Sequence, residues 1–284
     1  MTVYISTGGY SNAPADKSSK DLIDHGINCI ELSAGVYSPD LIDNLIKIKN
    51  KAKFQIHNYF PPPKNSFVIN LASQDTDVAN LSLKHVEKAL HCCEKLDSKF
   101  YSFHAGTLCD LKISELGTQV KKRKLYDRKK SIDLFLERVS KISKNAESMG
   151  IQIMIENNVF SHRNKIMFSD NPFLMCDANE CLKLIRQLPK NVKLLIDVAH
   201  LKVSANSLDF SPEAMMVKCS KYVGGYHLSE NDGLSDTNSA FDQNTWFWKF
   251  IRLDLNYYSI EVYNLPITDM IKLKQIVEKK LKKN

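Results

Sequence analysis

Short apolar runs recur along the chain and alternate with segments of a different period. Eight of these runs are predicted as strands, because each is four to eight residues long, apolar or alternating, and rich in isoleucine, valine, tyrosine and phenylalanine. Between them, apolar residues return every three or four positions, the pattern of a helix packed on one side. The predicted strands are TVYIST, NCIELS, KFQIHNY, KFYSFHA, IQIMIEN, VKLLIDVA, VGGYHLS and YYSIEVY.

Two of the helical segments are long. An apolar stripe predicts a helix over 75–97, and a second stripe predicts a helix over 130–149. Gly150 is well placed to end the second helix and to lead into the next strand. A basic amphipathic helix is predicted from residue 268 onward. Shorter helices are predicted over residues 16–25, 39–51, 178–188, 212–221 and 244–251.

Strands and helices that alternate along one chain predict an α/β fold, a parallel (βα)8 TIM barrel with its helices outside. The rival architecture, an open doubly wound sheet, is expected to carry a Gly-x-Gly-x-x-Gly loop after its first strand. The stretch STGGYSNAP lacks that spacing. No low-complexity linker interrupts the chain, so we predict a single domain over residues 1–284.

Polar side chains fall where the predicted strands end. The active site of a TIM barrel lies at the carboxyl ends of its strands, so residues there converge on one place. A lone histidine or carboxylate is more often structural, but six on consecutive strands share one face. Imidazole and carboxylate suit Zn²⁺, Mn²⁺ or a similar ion, which predicts a site for one or two divalent ions. The six are His57, His104, Glu156, Asp197, His227 and Glu261, with His200 three residues after Asp197.

Composition limits the class of protein and its surroundings. Apolar residues make up 43% of the chain and charged residues 25%, as in an ordinary globular protein. The seven cysteines form no Cys-x-x-Cys pair, and the N-terminus lacks the pattern of a signal peptide. We therefore expect reduced thiols and a cytoplasmic location. No apolar run reaches the roughly 20 residues of a membrane helix, so no membrane partner is expected.

The formal net charge of +7 is concentrated in residues 121–130 and in the last helix. Solvated helix faces account for such charge, and attraction to phosphate, on a sugar or on nucleic acid, is the alternative. Long loops are predicted over 106–127 and 157–177, and both carry basic residues. Loops of this length in a compact barrel are often functional, so these two could form a lid that holds an acidic group of the substrate.

Five motifs in order, SFHAG, IMIENN, IDVAH, YHLSENDG and SIEVY, resemble the xylose-isomerase-like TIM barrel superfamily. The superfamily includes sugar and sugar-phosphate isomerases and epimerases, and also the endonuclease IV family of DNA repair enzymes. In the epimerase branch the resemblance implies one divalent ion, with His200 as a substrate-binding residue. The ligands implied there are Glu156, Asp197, His227 and Glu261.

The endonuclease IV branch implies three zinc ions. The first would be held by His57, His104 and Glu156, and Glu156 would bridge to a second at the epimerase ligands. The third requires His200 and an Asp-x-His pair, and this chain has Asp236 followed by Asn238 where the histidine belongs. Because Asn is a poor zinc ligand, the chain departs from the nuclease pattern at this point.

The resemblance implies metal-dependent chemistry on a sugar or sugar phosphate, in which a proton moves through an enediolate. Glu156 and Glu261 would act as base and acid, and His57 and His104 would bind the metal or the substrate. The alternative is an endonuclease IV-like phosphodiesterase with abasic DNA as its partner. A barrel that has lost catalysis and only binds a sugar or a protein is a third interpretation, which the retained ligand set argues against.

Overall fold

The structure is a computed structural model that describes residues 1–10, 12–33 and 35–282. Eight parallel strands form a closed barrel in which each pairs with its neighbours in chain order. Val3 pairs with Tyr258 and Ile5 with Ile260, which closes the sheet between the first and last strands. The predicted TIM barrel is confirmed. The strands are β1 (Val3–Ser6), β2 (Cys29–Leu32), β3 (Lys53–His57), β4 (Phe100–His104), β5 (Gln152–Glu156), β6 (Val192–Asp197), β7 (Val223–Leu228) and β8 (Tyr258–Ile260).

Nine α-helices are found among the described residues, and their ends follow local side-chain chemistry. Asp75 begins α3 by accepting hydrogen bonds from the N–H groups of Asp77 and Val78. Gly150 has a φ of 68° and ends α4 in the left-handed conformation that glycine tolerates best. None of the described helices combines the length and apolar character needed to cross a bilayer. The helices are α1 (Ala15–Asp24), α2 (Leu41–Ile48), α3 (Thr76–Lys95), α4 (Arg128–Ser148), α5 (His162–Met167), α6 (Ala178–Ile185), α7 (Val198–Leu208), α8 (Pro212–Cys219) and α9 (Ile267–Leu281).

One predicted helix is wrong, and two helices were not predicted. Residues 244–251 form only a 3₁₀ turn, Trp246–Lys249. The Trp248 indole donates to the Asp242 carbonyl at 2.7 Å, and the neighbouring Phe247 is buried against Phe241, so these aromatic residues do not form one helical stripe. The unpredicted helices are α5 and α7, and α7 follows β6 without a connecting loop.

Large side chains close the interior of the barrel below the strand ends. Tyr4, Met154, Leu195 and Tyr257 pack together there. Gly225 of β7 leaves the space that Tyr257 fills, because a Cβ at this position would lie 2.8 Å from the tyrosine ring. The barrel is therefore a packed core, as expected for this fold, and its polar residues gather at the carboxyl-terminal end.

The long loops after β4 and β5 are tied to each other. Thr107 and Phe173 form an antiparallel bridge between them, and the Asn164 side chain accepts the Val120 N–H at 2.9 Å. Their apolar side chains make a small core of their own outside the barrel. The two loops thus form one packed layer beside the strand ends.

Candidate metal centre

Four ligand-bearing side chains meet at the carboxyl-terminal end of the barrel. One ligand atom from each lies within 4.8 Å of those of the other three. They come from four consecutive strands, which bring together residues as far apart in sequence as 156 and 261. Glu156 and Asp197 are the last residues of β5 and β6, His227 is the penultimate residue of β7, and Glu261 directly follows β8. The members are Glu156, Asp197, His227 and Glu261.

His227 lies at the middle of this four-residue group. Its Nδ1 is 3.1 Å from Glu156 Oε1, 2.9 Å from Glu261 Oε2 and 3.8 Å from Asp197 Oδ2. One ring nitrogen therefore faces three carboxylates at once. Three carboxylates this close repel one another unless a cation lies among them, and one neutral imidazole with carboxylates is a ligand set of zinc and manganese sites.

A second group shares one carboxylate with the first. Glu156 Oε2 lies 3.4 Å from His57 Nε2 and 3.4 Å from His104 Nδ1. The three residues offer ligand atoms within 4.8 Å of one another, so they form a second candidate metal site. Glu156 belongs to both groups and would be shared by the two ions if both sites held one.

Two carboxylate oxygens in the centre have no hydrogen-bond partner among the described residues of the protein. Asp197 Oδ1 accepts the N–H groups of Ala199 and His200, both at 2.8 Å, and so begins α7. Its other oxygen, Oδ2, is buried without a hydrogen bond, and so is Glu156 Oε2. A buried carboxylate oxygen without a partner is costly, and a bound cation would satisfy both. The residues present therefore fit a divalent metal ion.

The charges of the centre shift the pKa values of its members. Burial alone would raise the pKa of Glu156, but the imidazoles of His104, His227 and His57 outweigh it and hold the pKa well below its usual range. Burial raises the pKa of Asp197 to about 7. These opposite shifts show how strongly the carboxylates in this space interact with the imidazoles and with one another.

His200 is held on both sides at the start of α7. Its Nδ1 lies 3.1 Å from the Asn157 carbonyl, and its Nε2 lies 3.0 Å from Asp236 Oδ2. Burial alone would lower the pKa of His200. The carboxylates of Asp197 and Asp236 outweigh this effect and raise the pKa well above its usual value. A histidine held in this way can present a positive charge to a substrate oxygen.

Asn238 does not complete the third zinc site of the nuclease pattern. Its Oδ1 accepts the hydroxyl hydrogen of Ser229 at 3.1 Å, and its carbonyl accepts the Tyr263 N–H at 2.9 Å. Its φ of 45° lies in the left-handed region that asparagine tolerates better than most residues. The side chain therefore supports the loop after β7.

Two side chains connect the centre to solvent. The His104 side chain is 33% exposed, and Tyr263, which lies beside Glu261, is 38% exposed. The Tyr263 hydroxyl donates to Glu261 Oε1 at 3.2 Å. A Cβ at Gly8 would lie 2.8 Å from that same oxygen, so the glycine is what permits the β1 loop to approach Glu261. A substrate would therefore approach the centre at the carboxyl-terminal end of the barrel, past His104 and Tyr263.

The strand-end reasoning missed two buried residues beneath the centre, Glu31 and Tyr257. Glu31 is the third residue of β2, and its Oε2 lies 2.9 Å from His227 Nε2. Tyr257 precedes β8, and its hydroxyl donates to the same oxygen of Glu31. The signal for Glu31 was present, because it is a charged residue near the end of the apolar run NCIELS.

Comparison with known proteins identifies relatives in fold. The model of the xylose isomerase-like TIM barrel family matches residues 20–260. A D-tagatose 3-epimerase-like protein is 19% identical, with a TM-score of 0.74 over 99% of this chain and 97% of that one. The D-psicose 3-epimerase of Clostridium cellulolyticum H10, solved with D-tagatose, is 16% identical, with a TM-score of 0.65 over 99% and 96%.

A third similar structure was solved with a metal. The IOLI protein with a bound zinc atom is 13% identical, with a TM-score of 0.63 over 99% of this chain and 96% of that one. At these identities the likeness concerns the fold. No curated protein sequence matches the chain.

Proposed function

The chain belongs to the xylose isomerase-like TIM barrel family, and we propose that it is a metal-dependent isomerase or epimerase of a sugar or sugar phosphate. The observation that carries this proposal is the four-residue group at the strand ends, where buried carboxylate oxygens of Glu156 and Asp197 lack partners. The similar structures named as D-tagatose and D-psicose epimerases support a sugar as the substrate class.

The proposed metal ligands are the members of the four-residue group, Glu156, Asp197, His227 and Glu261. A divalent ion held there would polarise a carbonyl and a neighbouring hydroxyl of the sugar and offset the negative charge that develops when a proton leaves carbon. The metal is proposed as manganese, zinc or a similar ion. A second ion at His57, His104 and Glu156 remains part of the proposal.

Proton transfer is assigned to the two glutamates, Glu156 and Glu261. Both are carboxylates at the strand ends with one oxygen close to His227. Glu156 is wholly buried, while Glu261 is 7% exposed and accepts a hydrogen bond from Tyr263. The two groups would exchange a proton with the substrate carbon through an enediolate, one as base and the other as acid.

Substrate contacts are assigned to the histidines at the edge of the centre. His104 is the most exposed of them, and His57 lies behind it with the ring centroids 5.6 Å apart. His200, whose ring nitrogens face the Asn157 carbonyl and Asp236, would act on a substrate oxygen through its positive charge or by exchanging the Asp236 contact for the substrate. A phosphate on the sugar would be attracted by exposed Lys121, Lys122 and Lys124 in the loop after β4.

One observation favours a second candidate function. The group formed by His57, His104 and Glu156 resembles the first zinc site of the endonuclease IV branch. A phosphodiesterase acting on abasic DNA is therefore the alternative. Asn238, bonded to Ser229 rather than facing His200, weighs against it because the third ion of that branch lacks a ligand.

Solvent deuterium exchange tests the proposal. The protein, reconstituted with Mn²⁺ or Zn²⁺ and shown to hold the metal, would be incubated in D₂O with a panel of ketoses and ketose phosphates. We expect deuterium at the carbon next to the carbonyl of at least one member, and none with Glu261→Gln. A panel without exchange, together with incision of an abasic duplex by the wild type and not by Glu261→Gln, would overturn the proposal in favour of the alternative.

A further inference from the structure

A buried carboxylate lies beneath the candidate metal centre and belongs to neither group of ligands. Glu31 of β2 is 0% exposed. Its Oε2 accepts a hydrogen bond from His227 Nε2 at 2.9 Å and another from the Tyr257 hydroxyl. Its nearest functional neighbour is therefore the far nitrogen of a proposed metal ligand.

The contact decides which nitrogen of His227 carries hydrogen. A carboxylate accepts hydrogen bonds, so the hydrogen of the neutral ring is placed on Nε2, toward Glu31. The lone pair is then on Nδ1, the nitrogen that faces Glu156 and Glu261 at 3.1 and 2.9 Å. Histidine ligands in metal sites commonly donate their second N–H to a carboxylate in this way, which orients the ring and raises its basicity.

His57 is held by a hydroxyl instead of a carboxylate. Its Nδ1 is 3.0 Å from the Ser102 hydroxyl oxygen, and its Nε2 is 3.4 Å from Glu156 Oε2. A hydroxyl can donate or accept a hydrogen bond, so this contact does not set the tautomer of His57. Glu31, which can only accept, sets that of His227.

We infer that Glu31 is a positioning residue, the acceptor that fixes the tautomer of His227 so that its Nδ1 presents a lone pair to the metal centre. Tyr257 donates to the same oxygen of Glu31 and holds the carboxylate in place. The inference rests on the proposed metal site and adds a residue that contacts neither the substrate nor the ion.

The packing around Tyr257 holds this arrangement in place. Tyr257 is fully buried, and its ring lies 5.3 Å from Tyr4 and 5.4 Å from Phe100. Gly225 supplies the space, since a Cβ there would come within 3.1 Å of two ring atoms and the Cβ of Tyr257. The packed ring therefore keeps the hydroxyl beside Glu31.

Metal affinity of the intact protein tests the inference, measured by competition with a chelator of known affinity for Zn²⁺. Glu31→Leu removes the acceptor, and we expect about a 10- to 100-fold weaker Kd, the usual effect of losing such a partner. Glu31→Gln keeps an oxygen for both donors and is expected to retain most of the affinity. Tyr257→Phe leaves the His227 contact intact and is expected to lie between Glu31→Gln and Glu31→Leu.

The matched control is Glu115→Gln, another buried glutamate whose partners are Lys112, Lys121 and Arg123. It is expected to lower thermal stability without changing the Kd for Zn²⁺. A merely structural role for Glu31 would give the same pattern as this control, with lower stability and unchanged Kd, and would overturn the inference.

Imidazole ¹H–¹⁵N spectra of the Zn²⁺-loaded wild type give an independent reading that needs no variant to fold. We expect hydrogen on Nε2 of His227. Hydrogen on Nδ1 of this ring instead would overturn the inference. If the wild type held no Zn²⁺ at all, the proposed metal site itself would fail, which is distinct from metal binding that ignores Glu31.

Discussion

Carboxylates are buried in two regions of the molecule, and the chain satisfies them in only one. In the loop after β4, Glu115 is 4% exposed and accepts the N–H groups of Lys112 and Lys121 at 2.8 and 2.9 Å. The Arg123 guanidinium donates to it as well. At the strand ends, Glu156 is 0% exposed and its Oε2 has no hydrogen-bond partner. Burial alone therefore does not separate these two glutamates, whereas the oxygen without a hydrogen-bond partner does.

The difference follows from where the partners come from. Glu115 is bonded to residues no more than eight positions away, within one loop. Glu156 faces His57, His104 and His227, which arrive from three other strands. The first arrangement stabilises a local turn. The second brings carboxylates and imidazoles from separate strands together around a carboxylate oxygen, Glu156 Oε2, that no described group of the protein hydrogen-bonds.

The largest effect is expected from Glu156→Gln, which removes the charge shared by both ligand groups. We expect turnover to fall by about 10²–10⁴-fold, the usual contribution of a positioned acid or base, while the protein stays folded. The measurement is deuterium exchange with the substrate found in the panel, alongside circular dichroism. Substantial residual exchange in a folded, metal-loaded variant would contradict the role given to Glu156.

Removal of metal should destabilise the strand ends because the carboxylates there lose their cation. At a free metal concentration 100 times the Kd, a bound ion stabilises the folded state by about 2.7 kcal/mol. For a chain of this size the melting temperature should then fall by about 5 °C on chelation. Differential scanning calorimetry with and without chelator measures this. An unchanged melting temperature in the wild type would show that the orphaned oxygens need no cation.

Glu115→Gln should lower the stability of the protein without changing its affinity for metal. The amide cannot replace the carboxylate toward two backbone N–H groups and a guanidinium, so we expect a loss of about 1–3 kcal/mol in the free energy of unfolding. Denaturant unfolding measures this loss. The Kd for metal should stay within twofold of the wild type, and a large change in it would break the distinction between the two regions.

The smallest effect is expected at Tyr263, whose hydroxyl donates to Glu261 at 3.2 Å from a position 38% exposed to solvent. Water can take the place of this hydroxyl in Tyr263→Phe, so we expect a loss in kcat of less than about tenfold. Steady-state kinetics on the substrate from the panel tests this. A loss as large as that of Glu156→Gln would mean that Glu261 depends on the Tyr263 hydroxyl as strongly as turnover depends on the charge of Glu156.

Much of the fold could be read from the sequence, because the barrel repeats one signal eight times. All eight apolar runs contain a strand of the closed barrel. The prediction for 244–251 failed because three consecutive aromatic residues pack against one another and against Phe241 in a 3₁₀ turn, and not along one helix face. Helix α7 was not predicted because the predicted strand VKLLIDVA continues over Val198 and Ala199, which are the first residues of the helix that Asp197 begins.

The site was predictable as far as each strand end could be recognised. Six predicted ligands lie in the two groups, since residues at the carboxyl ends of parallel strands must converge. Glu31 could be noticed as a charged residue in an apolar strand, but its partner could not be predicted, because the histidine that it contacts lies 196 positions away. Asn238 was recognised as a departure from a pattern, but its bond to Ser229 depends on the loop conformation.

Calorimetric titration of chelator-treated protein with Zn²⁺ and with Mn²⁺, wild type beside Asp197→Asn, tests the central claim most directly. The asparagine keeps an oxygen to begin α7 and replaces only the orphaned Oδ2 of Asp197. We predict one or two ions bound per wild-type chain, and a much weaker affinity at the four-residue group in the variant. A wild type that binds neither ion, or a variant that binds them equally well, would contradict a metal centre at the strand ends.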